Sequence, residues 1–120
     1  MITAATAAQI TTAVNNLNTA ITAAAQSSNA LVYDVKGLFA RVKASGVFVG
    51  NNFLTSAYFG GFYSLNGFYP GATGHALIAN EILAQLNGTF GTTYPLVNVL
   101  DVALRDATVR QATQTGGTIQ

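Results

Sequence analysis

Residues 46–74 fit neither helix nor strand by their pattern, and this limits what the rest of the chain can build. Eight of the twelve aromatic residues (Phe48, Phe53, Tyr58, Phe59, Phe62, Tyr63, Phe68 and Tyr69) lie here, interleaved with glycines. No apolar period of 2 or of 3.6 runs through them. A long irregular stretch inside a compact domain is usually a functional loop or a poorly ordered one, and its rings can equally serve to pack the underside of the loop. The regular elements must therefore come from the flanks, and those read mainly as helices.

On the N-terminal side, Ile10, Val14, Leu17 and Ile21 recur at four, three and four residues, and Ala25 extends the stripe. Gln9, Thr11, Asn15 and Thr19 fall on other faces, so the segment is an amphipathic helix. Its alanines favour helix while its many Thr and Asn residues weaken it, so packing is expected to hold it. A helix lying on a membrane surface would carry Lys or Arg on its polar face, and this one has neither. Ser27, Ser28 and Asn29 break it.

Ala30-Leu31-Val32-Tyr33 is an apolar run of strand length and predicts one buried strand at about 30–34. Asp34 follows where a helix N-cap belongs, before a helix with Leu38, Phe39 and Val42 on one face that stops at Ser45-Gly46. A carboxylate at a strand's C-terminal end is also a candidate catalytic group, but capping explains Asp34 by local geometry alone. Further on, His75, Ala79, Ile82 and Leu86 share the apolar stripe of a helix over about 73–86. The only histidine on such a stripe is expected to pack and to hydrogen-bond a carbonyl. Near a helix N-terminus its charged form is disfavoured. After Pro95, Leu96, Leu100 and Ala103 or Leu104 suit a short helix better than a strand. The fold class is thus α/β with helices dominant. A single domain is expected over 1–112, with a flexible tail at 113–120.

The block Ser64-Leu65-Asn66-Gly67-Phe68-Tyr69-Pro70-Gly71-Ala72-Thr73-Gly74-His75, followed by the apolar run to Glu81, resembles the last signature block of the SGNH/GDSL ester hydrolases. In that family the block reads Asp-x-x-His-Pro, then a Gly-aromatic or Gly-His step opening an apolar helix, and the Asp and His belong to a catalytic triad. Here Asn66 and Tyr69 hold those positions. Residues 3–44 also look like the helix, strand and helix that precede the block, so the resemblance covers about residues 3–95. The Gly-Asp-Ser-Leu nucleophile segment, the oxyanion-hole glycine and the Gly-x-Asn block have no counterpart here. The resemblance implies the C-terminal half of such an enzyme, a partial SGNH-like α/β sandwich.

If active, such a half-chain would act on a carboxylic ester or lactone, from a site improvised from Ser64, Asn66, Tyr69 and His75, with Phe62, Tyr63 and Phe68 against the substrate. Replacing a triad Asp by Asn loses roughly 10⁴ in rate. A phenol, with an ordinary pKa of about 10, is a poor base at neutral pH. Two alternatives follow: an inactive remnant that binds acyl or sugar ligands through the aromatic loop, and an interaction subunit. One strand cannot cover several amphipathic helices, so exposed apolar faces would call for a homo-oligomer or a complementary N-terminal half.

Composition excludes other classes. Charged residues make up 8% of the chain, against about 25% in ordinary soluble domains. Lys36, Arg41, Lys43, Arg105 and Arg110 form no dense patch for a nucleic acid. The absence of cysteine removes disulfides, thiolate nucleophiles and Cys-type zinc sites, and no motif calls for a cofactor or metal. No apolar run reaches the roughly 18 residues of a membrane span, and the sequence shows no export signal, so the chain as written reads as cytoplasmic and its native compartment stays open.

Overall fold

A computed structural model describes residues 2–115. They are mostly helical, with one small two-stranded antiparallel sheet. The chain forms two compact units, residues 1–33 and 34–120.

The first unit is built on α1 (Ala4–Ser27). Thr3 caps it, its side chain accepting from the Thr6 N–H at 3.1 Å. Within the helix, the hydroxyls of Thr11, Thr19 and Thr22 donate to the carbonyls four residues back, which is how it accommodates so many threonines. A Schellman motif closes it. Asn29 takes the left-handed conformation (φ 54), its N–H bonds the Gln26 carbonyl, and the Ala30 N–H bonds the Ala25 carbonyl at 2.8 Å. None of α1's residues is buried.

This closure corrects the strand expected at 30–34, where the chain has no strand pairing. Residues 29 and 30 are engaged in ending α1, and Asp34 already begins the next helix. Strand-like apolar composition therefore found no ladder to join.

The second unit opens with α2 (Val35–Ser45), which Asp34 caps as expected, its carboxylate accepting from the Gly37 N–H at 2.9 Å. Gly46 ends it, donating to the Val42 carbonyl. A β-hairpin follows, β1 (Val47–Val49) and β2 (Asn52–Leu54), within the stretch the sequence pattern leaves irregular. Gly50 and Asn51 form its two-residue turn. Only Gly50 has positive φ (59), the pattern of a type II′ turn with glycine at the first central position. Val49 and Leu54 turn into the core, while Phe48 and Phe53 pair on the outer face with ring centroids 4.7 Å apart.

α3 (Ala72–Phe90) is longer than expected, and the face it buries is not the predicted one. Thr73, Gly74 and Ala76 are buried and Leu77 and Ile78 pack on the core, whereas His75 and Ile82 are exposed. Polar residues set this orientation. The extended segment 92–97 runs back along α3, held by two asparagines on the same stripe as Thr73 and Leu77. Asn80 donates to the Val97 carbonyl and accepts from its N–H, at 2.9 and 2.7 Å. Asn87 clasps Tyr94 in the same way, at 2.9 and 2.8 Å. Two helical turns rise about 10.5 Å and three extended residues span about 10 Å, so the two clasps stay in register.

The expected helix after Pro95 forms later, as α4 (Val99–Arg105) capped by Asn98, because Pro95 to Val97 belong to the clasped segment. A fifth helix, α5 (Ala107–Thr115), occupies residues expected to be partly tail. Residues 116–120, the rest of that expected tail, lie outside the described residues. The core gathers Leu38 and Val42 from α2, Val49 and Leu54 from the hairpin, Phe62 from the loop, Ala103 from α4 and Val109 from α5.

Candidate functional site

Beyond β2 the chain makes two bridged loops that place the candidate residues. Thr55 pairs with Gly61 around the turn at 57–60, and Tyr63 pairs with Pro70 around residues 64–69. The second loop closes at its base through the Gly71 N–H on the Phe62 carbonyl and the Ser64 N–H on the Tyr69 carbonyl, at 2.9 and 2.8 Å. Phe62 anchors this base at 0% exposure, edge-on to Phe39 and Tyr63. It therefore sits in the core, and Tyr63 beside it is half-buried, while Phe68 at the tip is 83% exposed.

Asn66 organises the tip. Its Oδ1 accepts from the Ser64 hydroxyl at 2.8 Å, the Phe68 N–H at 2.9 Å and the Tyr69 N–H at 3.1 Å. An Asn-Gly pair with the side chain folded onto the backbone two and three residues on is an Asx-type turn. The Ser64 hydroxyl is thus committed to Asn66. The Tyr69 ring is exposed, and its main chain is what the loop uses.

His75 lies in the first turn of α3, exposed, with Nδ1 3.0 Å from the Gly71 carbonyl. A carbonyl only accepts, so Nδ1 is the donor in this contact, which in the neutral ring leaves the lone pair on Nε2. The expected carbonyl contact is present, although the packed setting expected for this residue is not. Among the described residues, the side chains of Ser64, Tyr69 and His75 make no hydrogen bond to one another.

The most elaborate polar node is one the sequence pattern did not single out. Asp106 is 7% exposed and accepts four hydrogen bonds. The Thr73 N–H and hydroxyl both reach Oδ2 at 2.8 Å, and the Thr108 N–H and hydroxyl reach Oδ1 at 3.0 and 2.6 Å. One carboxylate therefore caps two helices, its own α5 and the distant α3, whose N-cap Gly71 has no side chain. Glycine is needed there, because a Cβ would stand 2.9 Å from the Thr108 hydroxyl and 3.3 Å from Asp106 Oδ2. Burial alone would push the Asp106 carboxyl up, but the hydrogen bonds from Thr108 and Thr73 outweigh it and hold the pKa below the usual aspartate value. With every lone pair directed at a cap, Asp106 is a structural group. The signal for it was local: Asp106-Ala107-Thr108 is an N-cap followed by a helix start.

Around the tip, Tyr58, Phe59 and Leu65 join Phe68 and Tyr69 as exposed apolar side chains. The Tyr58 hydroxyl donates to the Leu65 carbonyl at 3.2 Å, tying the first loop to the second. Among the described residues no group of His, Asp and Glu side chains is placed to hold a metal, and no helix is long and apolar enough to cross a membrane. No protein-family model, curated protein or solved structure matches the chain.

Proposed function

We propose that this chain is a non-catalytic interaction subunit that associates with a second copy of itself through α1. The observation that carries the reading is the exposure of Ile10, Val14, Leu17 and Ile21 along one face of that helix. Their spacing of four, three and four, continued by Ala7 and Ala24, is that of a coiled-coil seam, with Val14 and Ile21 at one of its alternating positions and Ile10 and Leu17 at the other. A seam of this kind reaches stability by meeting another helix. A second copy is the partner that suits it, because α1 carries no charged residue. Identical helices then meet without repulsion, and there is no charge pattern to select a different chain. The resemblance to the C-terminal half of an SGNH-type sandwich fits the same role, since such a half presents helix faces that need a cover.

Sedimentation velocity over a wide concentration range tests this. The wild-type chain is expected to self-associate and Leu17→Glu to be monomeric. A wild-type chain that stays monomeric at every concentration overturns the reading. So does a Leu17→Glu variant that associates as well as the wild type.

Hydrolysis of a carboxylic ester or lactone is the second reading. It is favoured by the SGNH-like block and by the exposure of His75, whose Nδ1 is engaged by the Gly71 carbonyl. It ranks below the first because the Ser64 hydroxyl is held by Asn66 rather than by a base. Turnover of short-chain nitrophenyl esters that falls in Ser64→Ala, Tyr69→Phe or His75→Ala would raise it. A rate indifferent to all three removes it.

A further inference from the structure

The tip at residues 58–69 combines two properties that rarely coincide in a surface loop. Five of its side chains are apolar and exposed: Leu65, Phe68 and Tyr69 from the second loop, Tyr58 and Phe59 from the first. Many of its polar groups are turned inward and satisfied. The N–H groups of Ser64, Gly67, Phe68 and Tyr69 all donate within the loop, to the Tyr69 carbonyl, the Ser64 carbonyl and Asn66 Oδ1. The Leu65 carbonyl is taken by the Tyr58 hydroxyl, and the Ser64 hydroxyl by Asn66.

A loop built to recognise a peptide or a sugar offers its hydrogen-bonding groups to the ligand. A loop that closes those groups on itself while projecting rings has lowered the cost of entering a medium that offers no hydrogen bonds. Phe59 adds an independent sign. It holds a left-handed backbone (φ 62), where a bulky side chain is strained and glycine would be at ease, and its ring lies 4.2 Å from that of Tyr58. Strain at an exposed aromatic residue points to a use for the ring outside the fold.

We propose that residues 58–69 insert into the surface of an electrically neutral lipid layer, with Leu65 and Phe68 leading and Tyr58 and Tyr69 at the headgroup level. The neutral class follows from charge. From residue 44 to residue 80 the sequence has no Asp, Glu, Lys or Arg, so the tip itself carries no charge that would attract anionic headgroups or repel zwitterionic ones. Tyrosines suit the depth assigned to them, with an apolar ring and a polar hydroxyl. The insertion is shallow, made by side chains of a turn whose base stays fixed in the core through Phe62 and the buried Pro70. It is a function of α2 to α5 and goes beyond self-association through α1.

The test is cosedimentation with vesicles of phosphatidylcholine alone and, in parallel, with vesicles that also carry an anionic lipid, using wild type, the double variant Leu65→Ala/Phe68→Ala, and Leu17→Glu. Both tip positions are exposed, so the double variant keeps its fold, which circular dichroism checks. Wild type and Leu17→Glu are expected to bind, and the double variant to bind at least about tenfold more weakly. The chain has no tryptophan, so Phe68→Trp supplies a single fluorophore at the tip, and its emission should shift to the blue on adding vesicles. Four results overturn the proposal: no binding by the wild type, unchanged binding by the double variant, loss in Leu17→Glu alone, or binding only to anionic vesicles that salt reverses. An unshifted tryptophan emission from vesicle-bound Phe68→Trp protein does so too.

Discussion

α1 and α3 look alike in sequence and differ in what fixes them. Both are long, Ala-containing helices with an apolar stripe at four-three-four spacing. In α3 that stripe is not the buried one. The inner face carries Thr73, Asn80 and Asn87, each bonded to another part of the chain. In α1 the stripe of Ile10, Val14, Leu17 and Ile21 is exposed. Apolar periodicity thus reports that a segment is helical. Which face is covered depends on what the rest of the chain brings to it, and polar residues can decide that when they have partners.

The largest expected effect breaks the fastening of α3. Asp106→Ala removes the cap shared by α3 and α5 and leaves the Thr73 and Thr108 donors without their acceptor. It should cost about 2–3 kcal/mol in denaturant unfolding. The same group gives a pH signature whose sign is fixed. Its folded pKa lies below its ordinary value of 3.8, so its contribution is complete above that value and is lost as pH falls through the folded pKa. Asp106→Asn should therefore flatten the acid limb of the stability profile below about pH 4, where the unfolded chain binds more protons than the folded one. An acid limb as steep as wild type would show that another carboxylate controls it.

Next in size is the clasp of the extended segment 92–97 onto α3. Asn80→Ala deletes both hydrogen bonds to Val97 and should destabilise by about 1 kcal/mol. The loss should appear as faster amide exchange of Val97. If Val97 remained protected, the segment would be held by something other than the asparagine clasps.

What could be read from sequence follows the range of the forces involved. α1, α2, the Asp34 cap and the stop at Gly46 were legible because each depends on neighbours within about four residues. The hairpin was missed although Val49-Gly50-Asn51-Asn52 carries a Gly-Asn turn signal, because the surrounding aromatic and glycine residues hide its alternation. The strand at 30–34 was expected from apolar composition and lost to the helix ending beside it. The buried face of α3 was out of reach, since Thr73 finds Asp106 thirty-three residues away. At the candidate site, Asn66-Gly67 announces a turn. That the turn captures Ser64, and that Phe62 and Phe68 face opposite ways, depends on the Phe62–Gly71 and Ser64–Tyr69 closures.

The smallest effect is the most direct comparison of the two helices. Ile82 on α3 and Leu17 on α1 are both exposed members of an apolar stripe. In a dilute monomer, Leu17→Ala should change stability by no more than about 0.5 kcal/mol, and Ile82→Ala, at a residue only 37% exposed, by up to about 1 kcal/mol. Raising the protein concentration separates them. If α1 meets a second copy, the wild type gains stability with concentration by mass action, and Leu17→Ala gains less because the seam has lost part of its buried surface. Ile82→Ala should follow the wild type throughout, since its helix is already fastened within the chain. Parallel curves for all three proteins would mean that the stripe of α1 is covered by no second copy.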